Sequence, residues 1–462
     1  MRLTIQPVTA LRGLFRPPSD KSLTHRAYMF GAAATGESVV RMPLTGEDCE
    51  STLRCLAQMG LRCERISPTE VKLIPAPEWT QPTDVLDCGN SGTTMRLMSG
   101  LIASRDLDVT MVGDASLSKR PMKRIAEPLR LMGATVEGDT PPLRIKGKSR
   151  LQGIRYQSPV ASAQIKSCTL LAGLRAEGET WVSEPSLSRD HTERMLTALG
   201  VKVHRGVAVD DAGDGQNIRF EPDIDFDAPG VMDALDEVLN MVGFTAGVSG
   251  GSQLNPFEFT VPGDISSAAF FMVAAAILPT SRIEIKDLSV NPSRTGILDV
   301  FLEAGIPCIV DEEREELGEP VADVVVAAPF EKKRAFNIGG SLVPRLIDEI
   351  PVLAVLATQC EGETVIRDAR ELRVKESDRI ELVAKGLRDM GAEVETFEDG
   401  MSIKGPVKLK GAVIEANHDH RIAMAFAVAG LVAEGETVIE GAESIATSFP
   451  AFEDELKRLS LA

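Results

Sequence analysis

The chain repeats itself, and that limits its fold more than any other feature. Gly36-Glu37-Ser38-Val39-Val40 returns as Gly178-Glu179-Thr180-Trp181-Val182, as Gly362-Glu363-Thr364-Val365-Ile366 and as Gly435-Glu436-Thr437-Val438-Ile439, with weaker copies at 107–111 and 282–285. Each reads as a strand with turn residues before it. Some 20 to 30 residues later come Met59-Gly60, Met132-Gly133, Leu199-Gly200, Ala304-Gly305 and Met390-Gly391, each closing an amphipathic helical pattern with the glycine expected after a helix. Before each strand stands a helix apolar on nearly every face, opening at Ser22, Gly92, Ala163, Ile265, Leu346 and His420. Such helices belong in a core. Their starts lie 70, 71, 102, 81 and 74 residues apart. The long third interval holds Asp210–Pro256, an acidic, Gly-rich segment in which 223–236 reads as a short extra helix. The expectation is an α/β protein of two similar lobes, three units each, with a seam near residue 260.

The charge pattern narrows the function. Lys and Arg number 50 against 68 Asp and Glu, a net charge of −18. That argues against nucleic acid and anionic membranes as partners, so any anionic ligand needs a local group of cations. Seven scattered cysteines form no CxxC pair, which fits a reducing compartment. The first residues show no signal-peptide core, and no apolar run has membrane-spanning length; the expectation is a cytoplasmic protein. His418 and His420 have the wrong spacing for a metal pair on a helix, and no third ligand is evident.

Candidate site residues gather where the buried helices begin. These starts read Ser19-Asp20-Lys21-Ser22 with Arg26, Gly89-Asn90-Ser91-Gly92-Thr93, Ser162-Ala163-Gln164, Gly263-Asp264-Ile265, Arg345-Leu346-Ile347-Asp348 and Asp419-His420-Arg421. Helix N-termini offer N–H groups and partial positive charge to an anion. Loops after the repeated strands add Arg120, Arg189, and Lys375 with Arg379. The densest stretch, 371–379, puts six charged residues in nine positions; if Ser377 or Asp378 caps the following helix, Lys375 and Glu376 precede its first turn. A carboxylate between fixed cations suits proton transfer beside an anionic substrate. Any one of these arginines alone reads better as a surface ion pair; their equivalent places in the repeats are what set them apart.

Together these segments, with Lys119-Arg120-Pro121, 373–379 and Ser448-Phe449-Pro450, resemble the 5-enolpyruvylshikimate-3-phosphate synthase family over essentially the whole chain. The resemblance implies the inside-out α/β barrel fold of the enolpyruvyl transferases: two lobes, each of three βαβαββ units around buried helices. One lobe would be 1–20 with 261–462, the other 21–260 with the acidic insertion at about 210–256. It implies transfer of the enolpyruvyl group of phosphoenolpyruvate to the 5-hydroxyl of shikimate 3-phosphate, without metal or organic cofactor, by a monomer. Lys21, Asp348 and Glu376 would be catalytic. Lys21, Ser22, Arg26, Ser162, Gln164, Arg189, Asp348 and Lys375 would hold shikimate 3-phosphate. Lys21, Asn90, Gly92, Arg120, Gln164, Arg379 and Arg421 would hold phosphoenolpyruvate, and glyphosate would enter the same pocket. Thr447 and Leu97 depart from the lysine and proline of many members. The alternatives are the UDP-N-acetylglucosamine enolpyruvyl transferase, whose loop cysteine is absent from 113–121, and an RNA 3′-phosphate cyclase-like enzyme.

Overall fold

Six helices carry the core, in a computed structural model that describes residues 1–210, 218–226, 228, 231 and 241–460. They are Lys21–Ala33, Gly92–Ala103, Ala163–Gly173, Ile265–Ile277, Ile350–Ala357 and His420–Gly430. All thirteen residues of Ile265–Ile277 are buried, as a helix apolar on every face requires. The first helix begins at Lys21, one residue before the predicted Ser22. The fifth corrects the sequence reading more. Leu346 ends a short helix, Leu342–Leu346, and the buried helix starts afresh at Ile350. Pro351 explains the interruption: it has no N–H, and in a continuous helix its ring would meet the carbonyl of Ile347. In the first turn of a new helix it is tolerated. Asp348 stands in the break.

The chain divides into two compact units. The N-terminal unit comprises Lys21–Val261 with Glu316–Glu319; the C-terminal unit comprises Met1–Asp20, Pro262–Glu315 and Pro320–Ala462. Each holds three of the buried helices and three sheets.

One sheet pattern recurs six times. The repeated strand always pairs in parallel with a second strand on one side. Ser38–Arg41 pairs with Glu258–Thr260, Asp108–Val112 with Leu86–Asp87, and Glu179–Glu184 with Arg155–Gln157. In the C-terminal unit Arg282–Ser289 pairs with Arg12–Phe15, Gly362–Ile366 with Asn337–Ile338, and Thr437–Glu440 with Val413–Glu415. Its other neighbour is antiparallel in every sheet. The five glycines predicted to follow amphipathic helices all have positive φ, from 74° at Gly305 to 106° at Gly60.

The long interval enlarges the third sheet. Val203–Asp210 pairs with both Ile218–Glu221 and Met241–Ser249, making five strands. Val207, Val209 and Phe226 form a small separate core there, against which Leu187 and Phe244 pack. The helix predicted within 223–236 falls largely outside the described residues.

Two buried helices of the N-terminal unit approach unusually closely. A β-carbon on Gly100 would lie 2.1 Å from the carbonyl oxygen of Cys168. Only glycine permits that distance. Four residues earlier on each helix stand Arg96 and Gln164.

Candidate functional site

In the C-terminal unit the charged stretch folds as a short 3-10 turn, Arg370–Val374, leading into the helix Arg379–Asp389. Of the two candidate caps it is Asp378 that acts, accepting from the Glu381 N–H at 3.2 Å. Arg373 fixes the approach. It bonds Asp378 at 2.8 Å and donates to the carbonyls of Glu398 and Phe397 at 2.8 and 2.7 Å. Lys375 and Glu376 are thereby held just before the helix.

Arg379 stands at the centre of a charged cluster, with a side chain only 1 % exposed. Its Nε meets Asp419 Oδ2 at 2.8 Å, one Nη meets Glu376 Oε2 at 2.7 Å, and the other meets Asp348 Oδ1 at 3.4 Å. Asp348 also faces Lys375 at 3.9 Å and Arg421 at 3.8 Å. Arg421 donates to the Asp348 carbonyl at 3.2 Å, a contact opened by the helix break at 347–349. Asp419 caps the last buried helix by accepting the Arg421 N–H at 2.9 Å, and it accepts the Ser377 hydroxyl at 2.8 Å. Three cations thus stand among these three carboxylates, and Lys375 also faces Glu371 at 3.8 Å. Burial works to lower the Arg379 pKa, but Asp419 and Glu376 outweigh it and hold it above the ordinary arginine value. Burial likewise works to raise Asp419, yet Arg379 brings it below the usual carboxylate range. Glu376 is the most open of the three acids: its side chain is 27 % exposed, against 14 % for Asp348 and 0 % for Asp419. It is the one best able to exchange a proton with a ligand.

The N-terminal unit gathers a different set. Lys21 heads the first buried helix and pairs with Asp48 at 3.1 Å. Arg26, one turn on, is 3 % exposed. Its guanidinium donates to Thr192 Oγ1 at 2.8 Å, Ser167 Oγ at 3.0 Å and the Ser22 carbonyl at 3.1 Å, bracing the first helix against the third and against His191–Ala198. Gly92 opens the second helix behind its cap Ser91, which accepts the Thr94 N–H at 3.1 Å. A β-carbon on Gly92 would lie 3.1 Å from Arg96 Nη1 and 3.5 Å from Arg120 Nη1, so two guanidinium groups face this bare backbone. Asn90 orients Arg120, accepting from it at 2.7 Å while donating to Asp114 at 2.7 Å. Arg96 donates to Gln164 Oε1 at 2.6 Å, and Gln164 donates to Thr93 Oγ1 at 3.3 Å. Ser162 caps the third helix, accepting from Ile165 at 3.4 Å. Arg189 lies half-buried in the loop between Glu179–Glu184 and His191–Ala198.

Nine of the predicted residues form two groups. Asn90, Gly92, Arg120 and Gln164 come together around the second helix start; Asp348, Lys375, Glu376, Arg379 and Arg421 come together in the C-terminal unit. The helix N-termini are partly used: Ser91, Ser162, Asp264 and Asp419 each take one N–H of their helix. Lys375, Arg379 and Arg421 do not stand as bare cations. Sequence reasoning missed Asp48, Asp419 as an ionic partner, and Arg96. The last had a signal, since four residues after Gly92 is the same helix face. Leu97 is fully buried in the core, and Thr447 ends the turn Ala442–Thr447. His418 pairs with Glu443 at 2.9 Å, and the described residues include no group of three or more His, Cys, Asp or Glu placed to hold a metal ion.

Comparison with known proteins bears on this geometry. The family model for EPSP synthase (3-phosphoshikimate 1-carboxyvinyltransferase) matches residues 5–225 and 238–456. The 3-phosphoshikimate 1-carboxyvinyltransferase of Brevibacillus brevis is 46% identical over 465 residues, spanning 99% of this chain and 100% of its own. That of Bacillus cereus (strain B4264) is 45% identical, with 99% of each chain covered. Among solved structures, the EPSP synthase of Acinetobacter baumannii is similar with a TM-score of 0.82 and 42% identity, over 99% of this chain and 98% of that one. The enolpyruvyl transferase NikO of Streptomyces tendae shares the fold, with a TM-score of 0.72 at 17% identity over 99% of this chain and 97% of that one.

Proposed function

We infer how the site divides its work from one premise: the chain belongs to the EPSP synthase family, the 3-phosphoshikimate 1-carboxyvinyltransferases. It is an enzyme that moves the enolpyruvyl group of phosphoenolpyruvate onto the 5-hydroxyl of shikimate 3-phosphate and releases phosphate. The assignment of residues to that reaction is our proposal. The observation that carries it is the bond between buried Arg379 and partly open Glu376, at 2.7 Å.

In the first step Glu376 protonates the methylene carbon of phosphoenolpyruvate. The 5-hydroxyl oxygen bonds to the adjacent carbon, and the hydroxyl proton passes to Asp348 with help from Lys21. The result is a tetrahedral ketal phosphate. In the second step the carbon–oxygen bond to phosphate breaks, the proton held by Asp348 passes to the departing phosphate, the new methyl group returns a proton to Glu376, and the enol ether is left on the product. Arg379 gives Glu376 its control. While it donates to Glu376 it favours the carboxylate; a substrate carboxylate arriving on Arg379 competes for that donor and lets Glu376 hold a proton. Arg421 and Arg120, with Gln164, Asn90 and the Gly92 backbone, complete the phosphoenolpyruvate set. Ser22, Ser162, Gln164, Arg189, Lys375 and Asp348 grip shikimate 3-phosphate, with Arg26 as the cation behind Ser22. No step calls for a cofactor.

The reading extends to a cytoplasmic monomer. Seven free cysteines suit a reducing compartment, and among the described residues no helix is long and apolar enough to cross a membrane. The decisive assay measures phosphate release with both substrates and with each alone. Release that needs both supports the reading. Release from phosphoenolpyruvate alone, or none with both, overturns it.

A further inference from the structure

Behind Ser162 and the Ser188-Arg189 loop lies a buried ionic cluster with no part in the two reaction steps. Lys166, one turn into the third helix, is 3 % exposed, and Glu184 and Glu193 are each 2 % exposed. The Lys166 Nζ meets Glu184 Oε1 at 2.7 Å and Glu193 Oε1 at 2.8 Å, and it donates to the Ser188 carbonyl at 3.4 Å. Glu184 ends the repeated strand of the third unit and is nearly saturated. Its Oε1 accepts the Ser188 N–H at 2.9 Å, its Oε2 accepts the Ser162 N–H at 3.2 Å, and the Ser188 hydroxyl reaches both oxygens at 2.8 and 2.7 Å. One carboxylate therefore ties together two segments distant in sequence: the third helix start, with Ser162 and Gln164, and the loop that carries Arg189.

We propose that Glu184, held by Lys166, is a positioning residue that sets the spacing of Ser162 and Arg189 for shikimate 3-phosphate. This rests on the reading that these residues grip that substrate. The chemistry explains why a charged group is used. Ser162 and Ser188 present backbone donors that a buried segment must satisfy. An ionised carboxylate accepts four or more bonds in a fixed plane, which a neutral amide cannot match. Lys166 supplies the opposite charge, so the acid need not repel a phosphorylated ligand in front of it. Glu193 bears on Lys166 rather than on the ligand segments; burial moves its carboxyl pKa upward, and its second oxygen has no hydrogen-bond partner among the described residues.

The test compares wild type with Glu184→Gln and Ser188→Ala. Calorimetry measures shikimate 3-phosphate binding without phosphoenolpyruvate, and initial rates then give KM for each substrate. Loss of a hydrogen bond to a charged group predicts shikimate 3-phosphate affinity weaker by about tenfold to a hundredfold in Glu184→Gln, and by less in Ser188→Ala. The phosphoenolpyruvate KM, at saturating shikimate 3-phosphate, should stay within about twofold, as should kcat. If Glu184→Gln does not fold, Ser188→Ala carries the test, because it leaves the Lys166–Glu184 pair in place. Folded variants that bind shikimate 3-phosphate as wild type does overturn the inference alone, as does equal weakening of both substrates. A wild type that binds no shikimate 3-phosphate overturns the functional reading and this inference with it.

Discussion

The two units hold their candidate site residues by different physical means. In the C-terminal unit the work is done by charge: Arg379, buried at 1 % side-chain exposure, is surrounded by Asp419, Glu376 and Asp348. In the N-terminal unit the residues around the second helix start, proposed for phosphoenolpyruvate, are held by hydrogen bonds in which one partner is neutral. Asn90 aims Arg120, Gln164 accepts from Arg96, and Gly92 leaves room for backbone contact. A buried ion pair carries a large desolvation cost that only its partners offset, so damage there should appear as instability. Damage to a hydrogen-bonded wall should appear as altered ligand preference in a protein that still folds.

The sharpest way to break this contrast is Asp419→Asn. Asparagine keeps the helix cap but removes the charge opposite Arg379, and breaking a buried pair costs about 3–5 kcal/mol. The lower end is expected, since Glu376 and Asp348 remain, and denaturant unfolding measures it. Because the Asp419 pKa is lowered in the folded state, its contribution is present above its unfolded value, about 4, and fades as pH falls through the lower folded value. A variant as stable as wild type at neutral pH would remove the distinction between the units.

Next is Glu376→Gln, which preserves shape and abolishes the titrating proton. kcat should fall by roughly a hundredfold or more, with binding of both substrates little changed. Near-normal turnover would assign the proton transfer elsewhere.

Gly92→Ala tests the neutral wall. The new methyl would press on Arg96 and Arg120, and overpacking of this kind costs about 1–3 kcal/mol, or roughly tenfold to a hundredfold in affinity. Stability should hold, and glyphosate, the longer ligand, should weaken more than phosphoenolpyruvate. Inhibition and Michaelis constants for both proteins decide it. Equal weakening of the two ligands would show that Gly92 does not discriminate.

The smallest effect is expected from Glu193→Gln. The raised folded pKa of Glu193 means that the folded state binds its proton more tightly than the unfolded chain. Its ionisation therefore costs stability as pH rises from about 4.3, the unfolded value, through the folded value. The glutamine variant should lose that decline, seen as a flatter unfolding free energy as pH rises above about 4. A slope unchanged from wild type would place the shift elsewhere.

The repeated strands and apolar helices make the fold legible, because a helix buried on all sides has a composition that no surface helix shares. Pro351 is equally visible, but an apolar run spanning it reads as one helix, and the break that exposes Asp348 stays hidden. The reacting candidates are legible as charged residues at helix starts. Their partners are not. Lys21 finds Asp48 27 residues away, Arg379 finds Asp419 40 away, and Arg96 finds Gln164 68 away. Arg379–Asp419 and Arg96–Gln164 join successive repeats and Lys21–Asp48 joins two helices of one repeat, and local spacing carries no information about either kind of packing. The sequence therefore suggests free cations where the structure has neutralised ones.

Gly100 touches none of the proposed ligands, yet its missing side chain lets two helices meet, and one turn away that contact delivers Arg96 to Gln164. The two positions are thus coupled through space. A lineage that replaced Gly100 with any larger residue would have to move the Cys168 backbone in the same history, or surrender the grip on Gln164. Drift at a buried glycine would then be read out as a change in substrate handling, with every residue of the pocket unaltered.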